Sequence, residues 1–302
     1  MRKTSPWLEQ VPVARPFRLD LTVNALRRLS TNIVDVVGED GTYRRVLERG
    51  HNCALLSVRQ LSADLVEIRI QGANAEKFSG VAQRMLGLQR DLRSWERHAA
   101  GVPWVARLAR ALRGLKPPRY PTLWEALAHA IIFQQISIHA ASAIMRRTIE
   151  ALAQPVRGLY PFPTPQQIWD APQSVLVTAG LSANKVASLR AAAAAILAGV
   201  IDEAALERLD SESAIGMLTA LRGIGPWSAA VVLLRGLGRL DVFPRKDSGV
   251  AAAIALLSDG TEEDPEGLPA RLGPQRGMLY FHLLLGKLAR VENPLQPRVG
   301  YE

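Results

Sequence analysis

LTALRGIGPWSAAVVLLRGLG, residues 218–238, reads as two helices joined by a turn of only a few residues. The first helix ends near Leu221, a Gly-Ile-Gly turn follows, and Pro226 stands in the first turn of the second helix, where its missing N–H costs nothing. This is a helix-hairpin-helix pattern. Gly223 and Gly225 permit backbone angles and a close approach that a Cβ would forbid, so their N–H groups, with the positive end of the second helix, can face a phosphate. Ile224 plugs the gap between the helices. Gly223, Gly225 and Ser228 nearly spell a dinucleotide-binding fingerprint, but that motif follows a strand, the segment before Gly223 is helical, and the third glycine is missing. A turn that needs glycine for geometry alone remains a second reading.

The chain is helical well beyond this hairpin. From about residue 88 apolar residues recur at helical spacing, predicting helices over 92–100, 102–112, 122–134, 138–152, 184–197, 212–221, 226–237, 248–257 and 275–291. QPVRGLYPFPTPQQ carries prolines at 155, 161, 163 and 165, so 154–165 is an extended connection that splits the helical part into two lobes. The alanine run 191–195 lies inside a periodic segment ended by Gly199 and reads as close helix packing. Before residue 88 the signals differ. FRLDL (17–21), TYRRVLE (42–48), CALLSVRQL (53–61) and LVEIRI (65–70), punctuated by Gly38, Gly41, Gly50 and Gly72, predict an antiparallel sheet. Helices near 23–29 and 75–86 would cover one of its faces. The expected fold class is α+β, with a small sheet domain over 1–88 and an all-helical domain over 89–302.

The 302 residues, 48% hydrophobic and 22% charged, have the balance of a globular protein of about two domains. No stretch approaches the roughly 20 apolar residues of a membrane helix, and the start lacks the apolar core of a signal peptide. The one cysteine, Cys53, excludes an internal disulfide, a multi-cysteine zinc site and a four-cysteine iron-sulfur cluster. A cytoplasmic protein fits best, monomeric and without an obligate protein partner. The histidines at 51, 98, 129, 139 and 282 show no metal-ligand spacing, so no metal is expected. A net charge of +9 and few lysines among the 37 cationic residues point toward phosphate-bearing partners, or reflect only how the genome spells basic residues.

Downstream of the hairpin, Pro244 interrupts LDVFPRKDSGVAAAIALL and Asp247 directly precedes an apolar helical run. Its carboxylate therefore stands at a helix N-terminus, where aspartate is a preferred cap and commonly nothing more. In combination, LxGIGPWxA and DVFPxxD resemble the helix-hairpin-helix DNA glycosylase superfamily, in particular its 3-methyladenine DNA glycosylase II branch. LWEALAHAIIFQQISIHAASAI (123–144), FPTPQQIWDAP (162–172) and GLSANKVASL (180–189) extend the resemblance across most of the chain.

The resemblance implies an enzyme of base excision repair that binds damaged double-stranded DNA and hydrolyses the N-glycosidic bond of alkylated purines. Asp247 would be the catalytic aspartate, and Gly223, Ile224, Gly225 and Ser228 would hold the DNA backbone. Gln135, with Ile136 beside it, would be the wedge that fills the hole left by the flipped base, although ordinary loop packing explains both equally. Chemistry agrees with the carboxylate. An alkylated purine leaves as a neutral base and needs no proton, so what needs stabilising is the cationic sugar. Relatives with lyase activity carry a lysine two residues after the second hairpin glycine; here that position is Trp227, which implies a monofunctional hydrolase. Lys246, beside Asp247, reads as a phosphate contact or a solvated charge.

The base pocket departs from the family's best-known pattern. Val231 stands where some relatives have a tyrosine, and Leu272 and Gln275 stand around Pro274 and Arg276 where tryptophans are common. Trp227, Trp124, Phe133 and Leu272 are the candidate pocket residues, although the nine-residue spacing of Trp124 and Phe133 does not place them on one face and favours core for both. No cofactor is expected, though analogy with the superfamily allows a monovalent cation at the hairpin carbonyls. Two alternatives stay open: a glycosylase for deaminated bases such as hypoxanthine, and a non-catalytic DNA-binding or lesion-sensing protein with the same hairpin.

Overall fold

Alternating apolar and polar residues build a five-stranded antiparallel sheet in the computed structural model, which describes residues 6–49 and 52–292. The strands are β1 (Trp7–Pro12), β2 (Val36–Val37), β3 (Tyr43–Arg49), β4 (Asn52–Ser62) and β5 (Leu65–Gly72), in the order β1-β5-β4-β3-β2. Leu56 pairs with Ile70 and Val58 with Ile68, and all four are fully buried. This face shares one hydrophobic cluster with Leu26 of the helix Leu19–Arg27 and with Ala82 and Met85 of the helix Ser79–Met85.

One expectation for this region fails, and one strand goes unforeseen. Residues 17–21 are not a strand: from Leu19 they open the helix Leu19–Arg27, whose buried Leu19, Thr22, Val23 and Leu26 repeat at helical spacing, while a five-residue window shows only alternation. The strand that does exist, Trp7–Pro12, forms an edge beside β5 with a half-polar sequence that hides it. Gly50 and His51 lie outside the described residues.

The helical part follows the periodicity closely. Helices span Arg93–Ala100, Pro103–Ala111, Leu123–Ile132, Ile138–Leu152, Ala183–Leu197, Ser211–Thr219, Pro226–Val232, Ser248–Leu257 and Met278–Glu292. After Val232 the helix widens into a π-helical turn, Leu233–Leu237, where the Arg235 carbonyl accepts from Tyr120 N at 2.6 Å instead of serving the helix ladder alone. Gln275 stays outside the last helix because its side chain accepts from Trp95 N and donates to the Asp91 carbonyl. Helices Pro165–Asp170 and Gln173–Thr178 were not expected, each being too short to show a period. A capping box between Thr164 and Gln167 ends the proline-rich connection.

Sheet and helices share one core, and an ion-pair network ties them. Arg45 of β3 donates to Asp35 at 2.9 Å and to Glu125 of the helix Leu123–Ile132 at 2.8 Å, all three side chains being at most 3% exposed. The Tyr43 hydroxyl donates to Asp35 at 2.6 Å. One guanidinium thus bridges two carboxylates from different parts of the fold.

Candidate active site

The hairpin lies between the helices Ser211–Thr219 and Pro226–Val232. Its two glycines play different parts. Gly223 has φ 76°, and a Cβ there would collide with the Ser188 hydroxyl. Gly225 has φ −89° and caps the second helix; a Cβ there would meet nothing within 4 Å. The absent side chain at Gly225 therefore leaves open space in front of a helix start that no side chain caps. The first amides of a helix have no intrahelical acceptor and carry the positive end of its dipole, so this opening suits an anion. Ile224 is 4% exposed and packs in the core as expected.

Asp247 is the N-cap of the helix Ser248–Leu257: its Oδ1 accepts from Gly249 N at 2.7 Å and from Val250 N at 3.0 Å. Its Oδ2 accepts from the Trp227 indole N–H at 2.8 Å. Cap and positioned carboxylate are thus the same group. A carboxylate has about four acceptor positions, and three donors leave one open on the oxygen nearest the hairpin. Lys246, beside it, is exposed with φ 56°. Trp227 is half-buried, with its polar edge spent on Asp247.

The loop between the helices Leu123–Ile132 and Ile138–Leu152 is anchored to the hairpin by Gln134, which no sequence motif singles out for that part. Its Nε2 donates to the Gly223 carbonyl at 2.8 Å and to the Ser228 hydroxyl at 2.6 Å. Lys185 Nζ in turn donates to the carbonyls of Ile132 at 2.6 Å and Gln134 at 3.0 Å. Burial lowers the Lys185 pKa. The doubled glutamine and the lysine of GLSANK were both visible as sequence; their partners were not. With its neighbour fixed, Gln135 turns the chain at φ 58° and is exposed, and Ile136 is 38% exposed.

Three expected residues lie elsewhere. Ser228 is 2% exposed, and its hydroxyl holds Gln134, so it braces the loop from inside instead of facing outward. Trp124 is 5% exposed with its indole N–H donated to the Pro163 carbonyl, and Leu272 is wholly buried; both are core residues. Phe133 differs. It is half-buried and lines a narrow cleft with Arg28, Asn32, His129, Met145 and Phe162. His129 stacks on Tyr120 with ring centroids 4.2 Å apart, and burial, reinforced by Arg28, Arg235 and Arg45, holds it well below the usual histidine range, hence neutral. Among the described residues no three His, Cys, Asp or Glu side chains gather as metal ligands, and no helix is long and apolar enough to cross a membrane.

Fold and site together define a helix-hairpin-helix protein with a carboxylate bonded to its hairpin. Residues 128–272 match the HhH-GPD superfamily base excision DNA repair protein family. A DNA-3-methyladenine glycosylase 1 from Schizosaccharomyces pombe is 34% identical over 44% of this chain and 57% of its own length. A probable bifunctional transcriptional activator/DNA repair enzyme AlkA from Mycobacterium tuberculosis is 26% identical over 90% of this chain and 53% of its own. The chain therefore spans little more than half the length of these curated relatives. Among solved structures, a 3-methyladenine DNA-glycosylase from Archaeoglobus fulgidus superposes with a TM-score of 0.80 at 25% identity, covering 93% of this chain and 98% of that one.

Proposed function

We propose that this chain is a monofunctional DNA glycosylase that releases alkylated purines of the 3-methyladenine type from double-stranded DNA in base excision repair. The observation that carries the reading is the bond from Trp227 to Asp247, which joins an anion-binding hairpin to a carboxylate with an open acceptor position.

In this reading the opening before Gly225 seats a backbone phosphate, with Gly223 and Ile224 shaping the turn behind it. The flipped nucleotide then lies beside Asp247. Flipping costs a few kcal/mol, least for a damaged base, and Gln135 or Ile136, projecting from the braced loop, fills the gap. As the glycosidic bond breaks, the sugar becomes cationic and the fixed carboxylate stabilises it while orienting a water. An alkylated purine departs neutral, so no proton donor is required. Trp227 occupies the position at which a lyase would carry its amine, and its ring cannot form a Schiff base. The abasic strand is left uncut. The reaction uses water and no cofactor, and the protein acts as a monomer inside the cell, on the chromosome.

Duplex oligonucleotides each holding one lesion, assayed for abasic-site formation with and without alkali, test this. Release of alkylated purines with strand breaks only after alkali is expected. Excision of deaminated bases alone would move the substrate class, and strand cleavage without alkali would restore lyase chemistry.

A further inference from the structure

Lys185 breaks a rule of its own helix. It stands in the first turn of the helix Ala183–Leu197, which Ser182 caps, and there the helix dipole opposes a cation. Its ammonium reaches the opposite pole of a neighbour: Nζ donates at 2.6 Å to the carbonyl of Ile132, the last residue of the helix Leu123–Ile132, and at 3.0 Å to that of Gln134. The final carbonyls of a helix lack intrahelical donors and carry its negative end, so a cation serves them both as donor and as charge. Lys185 is half-buried, and burial alone lowers its pKa, with no carboxylate contributing. An amine of this kind can serve as a nucleophile, but both partners here are main-chain oxygens, so its donors are spent on holding the chain where it leaves the helix.

The same face of the helix supports the hairpin. Ser188 lies three residues after Lys185, hence beside it, and is buried so close under Gly223 that a Cβ there would collide with its hydroxyl. Gln134 closes the triangle through its bonds to the Gly223 carbonyl and the Ser228 hydroxyl. One turn of helix, 185–188, thus underlies both the hairpin that faces a phosphate and the loop that carries Gln135 and Ile136. The Gln134 side chain ties loop to hairpin, whereas Lys185 holds the loop's main chain and makes no bond to the hairpin.

We propose that Lys185 is a positioning residue for base flipping: its two bonds hold the loop tip where Gln135 or Ile136 enters the stack, and so set how much of the bound lesion is extrahelical. The proposal rests on the glycosylase reading and adds the group that controls its flipping step. Lys185 touches neither base nor sugar in that reading. Removing its ammonium therefore leaves the grip on the strand and lowers the flipped fraction. The deficit shrinks where flipping is already cheap, as it is for a mismatched base.

The test uses duplexes with one 7-methylguanine opposite either cytosine or a mismatched thymine, and with 2-aminopurine beside the lesion to report unstacking. Wild type, Lys185→Met and Lys185→Arg are compared in single turnover. Opposite cytosine, Lys185→Met should release base about tenfold more slowly at saturating enzyme and show a smaller rise in 2-aminopurine fluorescence. Its half-saturating concentration should stay within about twofold of the wild type, and opposite thymine its rate deficit should fall below about threefold. Lys185→Arg, which keeps charge and donors at the helix end, should recover most of the rate. If Lys185→Met does not fold, Lys185→Gln, with a donor of shorter reach, is held to the same outcomes. An unchanged rate, an equal deficit on both duplexes, or affinity lost in step with rate overturns the role of Lys185 and leaves the glycosylase reading standing. Release from neither duplex by the wild type overturns both.

Discussion

The indole N–H of Trp227 donates to Asp247 Oδ2 at 2.8 Å, so the first turn of the hairpin's second helix holds the carboxylate that caps the next helix. The two residues are twenty apart in the chain. Any strand gripped by the hairpin is therefore registered against the carboxylate through one side chain.

Trp227→Phe keeps an aromatic ring and removes the N–H together with the five-membered part of the indole. A hydrogen bond to a charged group contributes about 1.5–3 kcal/mol, so the rate of base release at saturating enzyme should fall about 10-fold to 100-fold, with DNA affinity nearly unchanged. Single-turnover rates beside equilibrium binding check this. A loss of affinity at unchanged rate would mean that Trp227 contacts DNA and does not orient Asp247.

The two hairpin glycines should separate fold from binding. Gly223→Ala forces a side chain into a positive φ and against Ser188, which should lower stability by about 1–3 kcal/mol. Gly225→Ala meets open space and costs only the helix cap, about 1 kcal/mol. It should nonetheless weaken DNA binding about tenfold, since the methyl stands where a phosphate approaches. Thermal melts and fluorescence anisotropy on the same preparations distinguish the two effects.

Gln134→Ala cuts the loop from the hairpin by removing the donor to Gly223 and Ser228. The chain should stay folded with a loss of about 1–3 kcal/mol, while base release falls further than DNA affinity because the loop tip no longer has a fixed position. Equal losses in both would show that the brace serves binding alone.

How much of this was legible in the sequence divides by distance along the chain. Helices longer than two turns, the glycine-proline hairpin and the place of Asp247 before an apolar run follow from local patterning, and the structure has them. Phe17, Leu19 and Leu21 alternate over a window shorter than two helical turns, so segment 17–21 looks the same as strand or as helix start. Trp124 and Phe133 are similar as letters, yet one spends its indole on Pro163 and the other lines a cleft. Nothing local separates them. Gln134 and Lys185 act through partners far away in the chain, so their parts emerge only from packing.

The buried network gives stability a pH dependence. Burial, aided by Asp35 and opposed by Arg45, pushes the Glu125 carboxyl from 4.5 up to about 7. Between these values the folded chain binds more protons at this site than the unfolded chain, so the contribution of Glu125 is greatest at the acid end and declines as pH rises toward 7, by at most about 1.4 kcal/mol per unit. Glu125→Gln should flatten that slope. Urea midpoints from pH 5 to pH 8 give the comparison, and parallel slopes in the two proteins would contradict it.

The most direct measurement is base release from methylated duplex DNA by Asp247→Asn. Asparagine is as good a helix cap as aspartate, but its amide nitrogen faces the Trp227 N–H where an acceptor stood, so the variant should stay folded with a loss of about 1–3 kcal/mol and bind DNA as well or better. The account predicts that release falls at least about 100-fold, the scale lost with one electrostatic stabiliser of a transition state. Release at the wild-type rate by a folded Asp247→Asn would contradict it and leave Asp247 as a cap and nothing else.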